Sequence, residues 1–106
     1  MKKNIFKLKR SFTFEGENYT ELDMTALEDI TGRQLYEAEK IYTKNGGSAV
    51  AMEYSLDFIF TLCNVVLNKP IEFFYAMSAT DTYRLKYFVA SFLEGTEIQE
   101  QSEKQQ

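Results

Sequence analysis

Asp57, Asp81 and Cys63 are the residues whose types could do chemistry, because each stands among apolar neighbours. Paired carboxyls would offer general acid–base work, and a thiol would offer a nucleophile. Neither possibility has its second half. The 106 residues contain no His, which removes the commonest base, the commonest metal ligand and every Ser-His or Cys-His pair. One Cys excludes an intramolecular disulfide and any cysteine-built zinc site. Asp81 is placed to open a helix, where a carboxylate stabilises the dipole by roughly 0.3–1 kcal/mol. Asp57 falls on the narrow polar face of an apolar helix, and Cys63 falls on its apolar stripe as a small unactivated thiol. Gly46-Gly47 does not continue into GK[ST], and no GxGxxG is present, so no phosphate-binding loop is encoded. No catalytic residue, metal site or cofactor is expected.

The aromatic residues carry more. Sixteen are present, nine Phe and seven Tyr without Trp. Phe73, Phe74 and Tyr75 are consecutive, so a helix through them cannot turn all three rings to one side. Tyr83 and Tyr87 are four apart and share a helical face, while Tyr36 and Tyr42 extend the outer part of an earlier helix. Most of these rings would fill a small core, yet their number leaves a surplus for the surface. Exposed aromatics anchor protein interfaces. Phe73, Phe74, Tyr75, Tyr83 and Tyr87 are therefore the candidate partner-binding residues.

Charge separates along the chain. Lys2, Lys3, Lys7, Lys9 and Arg10 put five positive charges in the first ten residues; the remainder sums to -9 within an overall -4. An acidic body repels phosphate backbones and argues against nucleic acid as partner. Lys7, Lys9 and Arg10 are candidate subunit or edge contacts, or solvated charges that protect a strand edge. No apolar run reaches the roughly 18 residues of a membrane span, and no secretory leader is visible.

The elements that must position these residues are legible as period changes. Phe6, Leu8, Phe12 and Phe14 alternate with Lys7, Lys9, Ser11 and Thr13, the pattern of a strand with one buried face. Arg10 breaks the apolar row at a bend or bulge. Glu15-Gly16-Glu17-Asn18 makes a turn, and Thr20, Leu22 and Met24 resume on one parity. Residues 5–24 read as a β-hairpin, which needs helices or another subunit to cover its face. Capping boxes at Thr25 and Thr31 open a short turn at 26–30 and a helix over 32–44, with Leu35, Ala38, Ile41 and Tyr42 inward. Asn45-Gly46-Gly47 stops it.

Leu56, Ile59, Phe60, Cys63, Val66 and Leu67 follow helical spacing, and Phe58, Leu62 and Val65 widen the stripe to a nearly all-round apolar, central helix. Asn68-Lys69-Pro70 ends it, and Pro70 opens a short helix to about Met77. Ser78 caps a last helix to about Leu93, with Leu85, Phe88, Val89, Phe92 and Leu93 inward and Gly95 closing it. Glu94 to Gln106 reads as a polar, disordered tail. The fold class is α+β, mainly helical: one domain over 1–95, with hairpin 5–24 and helical part 26–93, then a flexible tail over 96–106.

In that order, FTFEGENYTELDM, NVVLNKPIEFF and SATDTYRLKYFVASFLEG resemble the tail assembly chaperones of long-tailed phages and prophages of Gram-positive bacteria. The resemblance spans roughly residues 8–95. It implies a non-enzymatic factor that binds the tape measure protein, keeps it soluble and promotes polymerisation of the major tail tube protein around it. It also implies action in the cytoplasm of the infected or lysogenic host and absence from the mature virion, while the unpaired hairpin edge and the aromatic surplus invite self-association with another copy. Many members are made in two lengths by ribosomal frameshifting, and the polar C-terminal stretch would tolerate such an extension. The rival readings are a structural tail completion subunit and a small DNA-binding regulator. The regulator would need a basic recognition helix, and the last helix offers only Arg84 and Lys86 beside Asp81 and Glu94.

Overall fold

A computed structural model describes residues 4–48 and 50–95. The alternating segment forms strand β1 (Ile5–Phe14), which pairs antiparallel with β2 (Glu17–Asp23) across the Glu15-Gly16 turn. Gly16 takes a positive φ of 83° at that turn, a conformation open to glycine without steric cost. A 3-10 turn over Thr25–Asp29 leads to α1 (Gly32–Lys44). A second 3-10 turn (Met52–Tyr54) precedes α2 (Leu56–Leu67), and α3 (Ile71–Tyr75) and α4 (Ala79–Glu94) follow. The α+β architecture, hairpin first and helices after, is the one the sequence predicts. The tail expected over 96–106, and Lys2 and Lys3, lie outside the described residues. No helix among the described residues is long and apolar enough to cross a membrane.

Strand register departs from the simple alternation at the point where Arg10 interrupts it. Phe6 pairs with Leu22 and Lys7 with Glu21, but the next pairing is Phe12 with Tyr19. Leu8 to Ser11 thus stand against Thr20 alone, a wide bulge in β1. An odd number of extra residues reverses parity on the partner strand. Leu22 and Met24 face the core below the bulge, whereas Tyr19 faces it above, and Thr20 is exposed instead of sharing their side.

One core collects the inner face of the hairpin and all four helices. α2 lies at its centre, with Phe58, Ile59, Leu62 and Cys63 wholly buried. At its turn end the hairpin docks on Phe73. Its ring meets Phe12, Phe14 and Tyr19 edge-on at centroid distances of 5.2, 5.3 and 4.9 Å. Each such aromatic pair adds about 0.5–1.5 kcal/mol beyond area burial.

The capping box at Thr31 forms as read: Gln34 N–H donates to Thr31 Oγ1, and Thr31 N–H donates to the Gln34 side chain. Thr25 forms none. Its hydroxyl instead donates to Asp23 at 2.6 Å and accepts from the Asn4 N–H, which fastens the start of β1. In α1, Tyr42 is buried, as its place on the apolar stripe predicts and not on the outer part of the helix, whereas Ile41, expected inward beside it, is 42% exposed. Tyr42 turns in because its ring meets Phe58 at 5.6 Å and covers Gly47.

α4 is placed by Asp81, whose side chain is fully buried. Its Oδ1 accepts from the Lys9 N–H at 2.9 Å and from Arg84 Nη1 at 2.6 Å. Its Oδ2 accepts from the Arg10 N–H at 3.0 Å and from the Ser78 hydroxyl at 3.2 Å. Those two amides belong to the bulge and have no partner strand. The expected role of Asp81, charge at a helix N-terminus, is therefore only part of what it does. Burial alone would raise its pKa. The backbone hydrogen bonds from Lys9 and Arg10, with Arg84 and Ser78, outweigh that and hold the carboxyl below its ordinary value of 3.8.

Two outcomes follow from this packing. Asp81→Asn is expected to lose roughly 2–3 kcal/mol at neutral pH, because an amide cannot accept from all four donors. The stabilising charge is complete above the ordinary carboxyl value and is lost as pH falls through the depressed folded value. Urea melts should thus separate wild type and variant at pH 7 and bring them together in acid; a constant small gap would refute the role. Gly47→Ala would set a Cβ 2.4 Å from the Tyr42 ring. It should cost about 1–3 kcal/mol by the same melts, with no change expected for an alanine at exposed Gly32.

Candidate functional site

Consecutive rings in α3 part company, as helical geometry requires. Phe73 turns to the hairpin, Phe74 turns to α2, where it stacks on Phe60 at 6.0 Å, and Tyr75 points outward. Phe73 and Phe74 are 1% and 0% exposed, which corrects their expected place on a partner-binding surface. Removing either ring would cost core stability of about 3–5 kcal/mol before it touched any partner. Tyr75, Tyr83 and Tyr87 do lie at the surface, at 64%, 59% and 41% exposure.

α4 turns Leu85 and Val89 inward, so positions 83 and 87 face out together. Their rings meet at 5.1 Å, and Lys86 places its ammonium 5.1 and 5.2 Å from the two centroids. Tyr54, from the turn before α2, extends the row: its ring lies 5.9 Å from Tyr87, and its hydroxyl donates to Glu94 at 2.5 Å. The hydrogen bond with Tyr87, then repulsion between two phenolates, pushes the Tyr83 hydroxyl above its ordinary value, with Lys86 opposing. It remains a neutral donor at neutral pH.

Beside this row runs an open groove of about 390 Å³. α2 contributes Leu56 and Phe60, and α3 contributes Phe74 and Tyr75. Ala79, Thr82, Tyr83 and Lys86 of α4 complete it. Phe74 thus reaches the groove as its buried floor, together with Phe60, and not as a free contact. Leu56, expected on the inner stripe, stands 40% exposed at the rim.

Lys7, Lys9 and Arg10 are all exposed but are not part of the groove. Lys9 and Arg10 border a second, more polar cleft of about 510 Å³ with Ser78 and Thr80. Ala79 stands between the two hollows. The tyrosines and the basic strand are therefore separate surfaces.

The other chemistry-bearing groups are structurally committed. Asp81 spends both oxygens on four donors. Asp57 is exposed near the start of α2. Cys63 is wholly enclosed, and burial pushes its thiol up to about 12. Among the described residues, no three His, Cys, Asp or Glu side chains are grouped to hold a metal ion.

Lys86, Tyr54 and Leu56 belong to this surface without having been singled out for it by residue type or spacing. The spacing of Tyr83 and Tyr87 was a signal for the intervening Lys86. Tyr54 carried none, since its contact with Tyr87 joins distant parts of the chain.

Comparison with protein-family models, with curated proteins and with solved structures found no match to this chain.

The buried thiol yields a direct check. Native protein should leave Cys63 unreacted with a thiol reagent at pH 8, and unfolding in urea should release one equivalent of reaction. Rapid labelling of the native fold would show that α2 is open.

Proposed function

We propose that this chain is a non-enzymatic tail assembly chaperone. In this role it covers apolar helical faces of a tape measure protein, keeps that protein soluble, and yields to major tail tube subunits as they polymerise. It acts in the cytoplasm of an infected or lysogenic bacterium and is left out of the finished virion. The observation that carries the reading is the apolar groove bordered by exposed Tyr75 and Tyr83, with Tyr87 and Tyr54 continuing the row. A tyrosine presents a large apolar body with a hydrated tip, so it tolerates solvent while free and gains contact when covered.

The order of elements supports the same reading, since the resemblance in the sequence rests on hairpin, apolar helix, Lys-Pro junction and final helix in succession. The acidic body would keep a many-copy complex in solution. Self-association belongs to the proposal as well: β2 has no second neighbour strand among the described residues, and its free edge suits another copy. The rival reading, a tail completion subunit, differs in one consequence, because such a subunit stays in the particle.

Co-expression tests the groove. Tyr75→Ser with Tyr83→Ser should reduce the soluble fraction of a co-expressed tape measure protein severalfold. The melting temperature should shift by only a few degrees, as exposed positions allow. Undiminished solubility with a normal melt would remove the groove from the interface. Mass spectrometry of purified virions should find the chain absent; stoichiometric presence would favour the completion subunit.

A further inference from the structure

The charge lining the groove narrows the chemistry of its occupant. Among the described residues, Lys86 is the single charged side chain that borders it. The contrast with Arg84, two residues earlier, is instructive. Arg84 is consumed by Asp81 at 2.6 Å, whereas no described carboxylate lies within ion-pair distance of Lys86. Contacts with the Tyr83 and Tyr87 rings hold its ammonium at the rim. The chain thus sets one positioned cation beside an apolar floor, in a body whose net charge is negative.

The backbone of the groove decides the form of the occupant. Its lining residues belong to α2, α3 and α4, so the groove is walled by helices and offers no strand edge. An extended peptide would lay unpaired backbone groups on an apolar floor and gain no ladder in return. A helix arrives with its backbone already paired.

We propose that the groove takes an amphipathic helix of another protein, whose apolar side chains seat over Phe60 and Phe74 while an Asp or Glu on its flank meets Lys86. The proposal rests on the protein-binding reading above and adds a charge rule to it. The exposed cations Lys7, Lys9 and Arg10 lie on a separate surface, so within the groove the one local attraction fixes the register of the helix.

Three designed helical peptides of about 20 residues, long enough to hold a helix, provide the probe. They share a Leu/Phe stripe and carry Glu, Gln or Lys at the flank. In anisotropy titrations at low salt, the Glu peptide should bind about fivefold more tightly than the Lys peptide, as for an exposed ion pair, and high salt should erase the difference. Lys86→Glu should reverse the order, Lys86→Gln should flatten it, and Tyr83→Ser should weaken all three.

An order that Lys86→Glu leaves unchanged overturns the proposal. So does a preference for an extended proline-rich peptide over the helical ones. A dimer of this chain that Tyr83→Ser dissolves, seen by sedimentation, would assign the groove to a second copy and overturn it too. Failure of the charge order while the Tyr75/Tyr83 variant still loses tape-measure solubility defeats this inference alone. Failure of that solubility test defeats the reading beneath it.

Discussion

The carboxylate of Asp81 joins the two halves of this fold. A lone hairpin is marginal in water, and the bulge weakens this one further by removing the Lys9 and Arg10 amides from the ladder. Asp81 supplies the acceptors that a third strand would have given. A buried charge is costly unless its hydrogen bonds are complete. Here four donors and the start of α4 surround it, so the cost is offset where it arises. Because the contact spans some seventy residues of chain, it also fixes how α4 lies against β1. The direction in which Tyr83 and Tyr87 point follows from that placement.

Around this tie the aromatics sort by polarity. No Phe is exposed, while Tyr36, Tyr54, Tyr75, Tyr83 and Tyr87 all are. Volume alone does not explain the division, since the two rings are nearly the same size. The hydroxyl does. A buried phenol needs a partner, whereas a surface phenol keeps water on its tip and an apolar face beside it. Phe73 illustrates the inner half, touching three hairpin rings at once. Tyr75, two positions on, illustrates the outer half. Its ring packs edge-on against Phe60 at 5.6 Å and still leaves most of its surface to solvent.

What the sequence discloses, and what it withholds, divides along the range of the interactions. The hairpin, the Thr31 box, the Pro70 junction and the Gly95 stop are local: a few neighbouring residues decide each. The bulge is visible only as Arg10 in an apolar row, and nothing local shows that four residues face one. Hence Thr20 reads as inward, although Tyr19 takes that place. Ile41 and Tyr42 both read as inward, yet only Tyr42 is buried, because Phe58 and the bare backbone at Gly47 offer room to its ring. The site follows the same rule. Periodicity brings Tyr83 and Tyr87 together, but it cannot say which of Phe73, Phe74 and Tyr75 is left outside. That choice is made by α2 and the hairpin, both distant in sequence.

The groove that results has a stiff floor and a polar rim, and this combination bears on how it would hold a helix. Phe60 and Phe74 belong to the close-packed core, so an occupant would not have to order them. Binding would spare that entropy, which favours recognition by a small surface. The same smallness limits total affinity, because a groove of this volume covers much less area than a stable complex of standard size. The proposed assembly role would need both properties, since such a coat would have to form along a partner and then be stripped by incoming subunits. In that role a rigid floor would supply selectivity for an apolar stripe, and modest area with a rim-exposed cation would keep each contact reversible. Many weak contacts along one long partner would add to a durable coat, while any single one could be displaced.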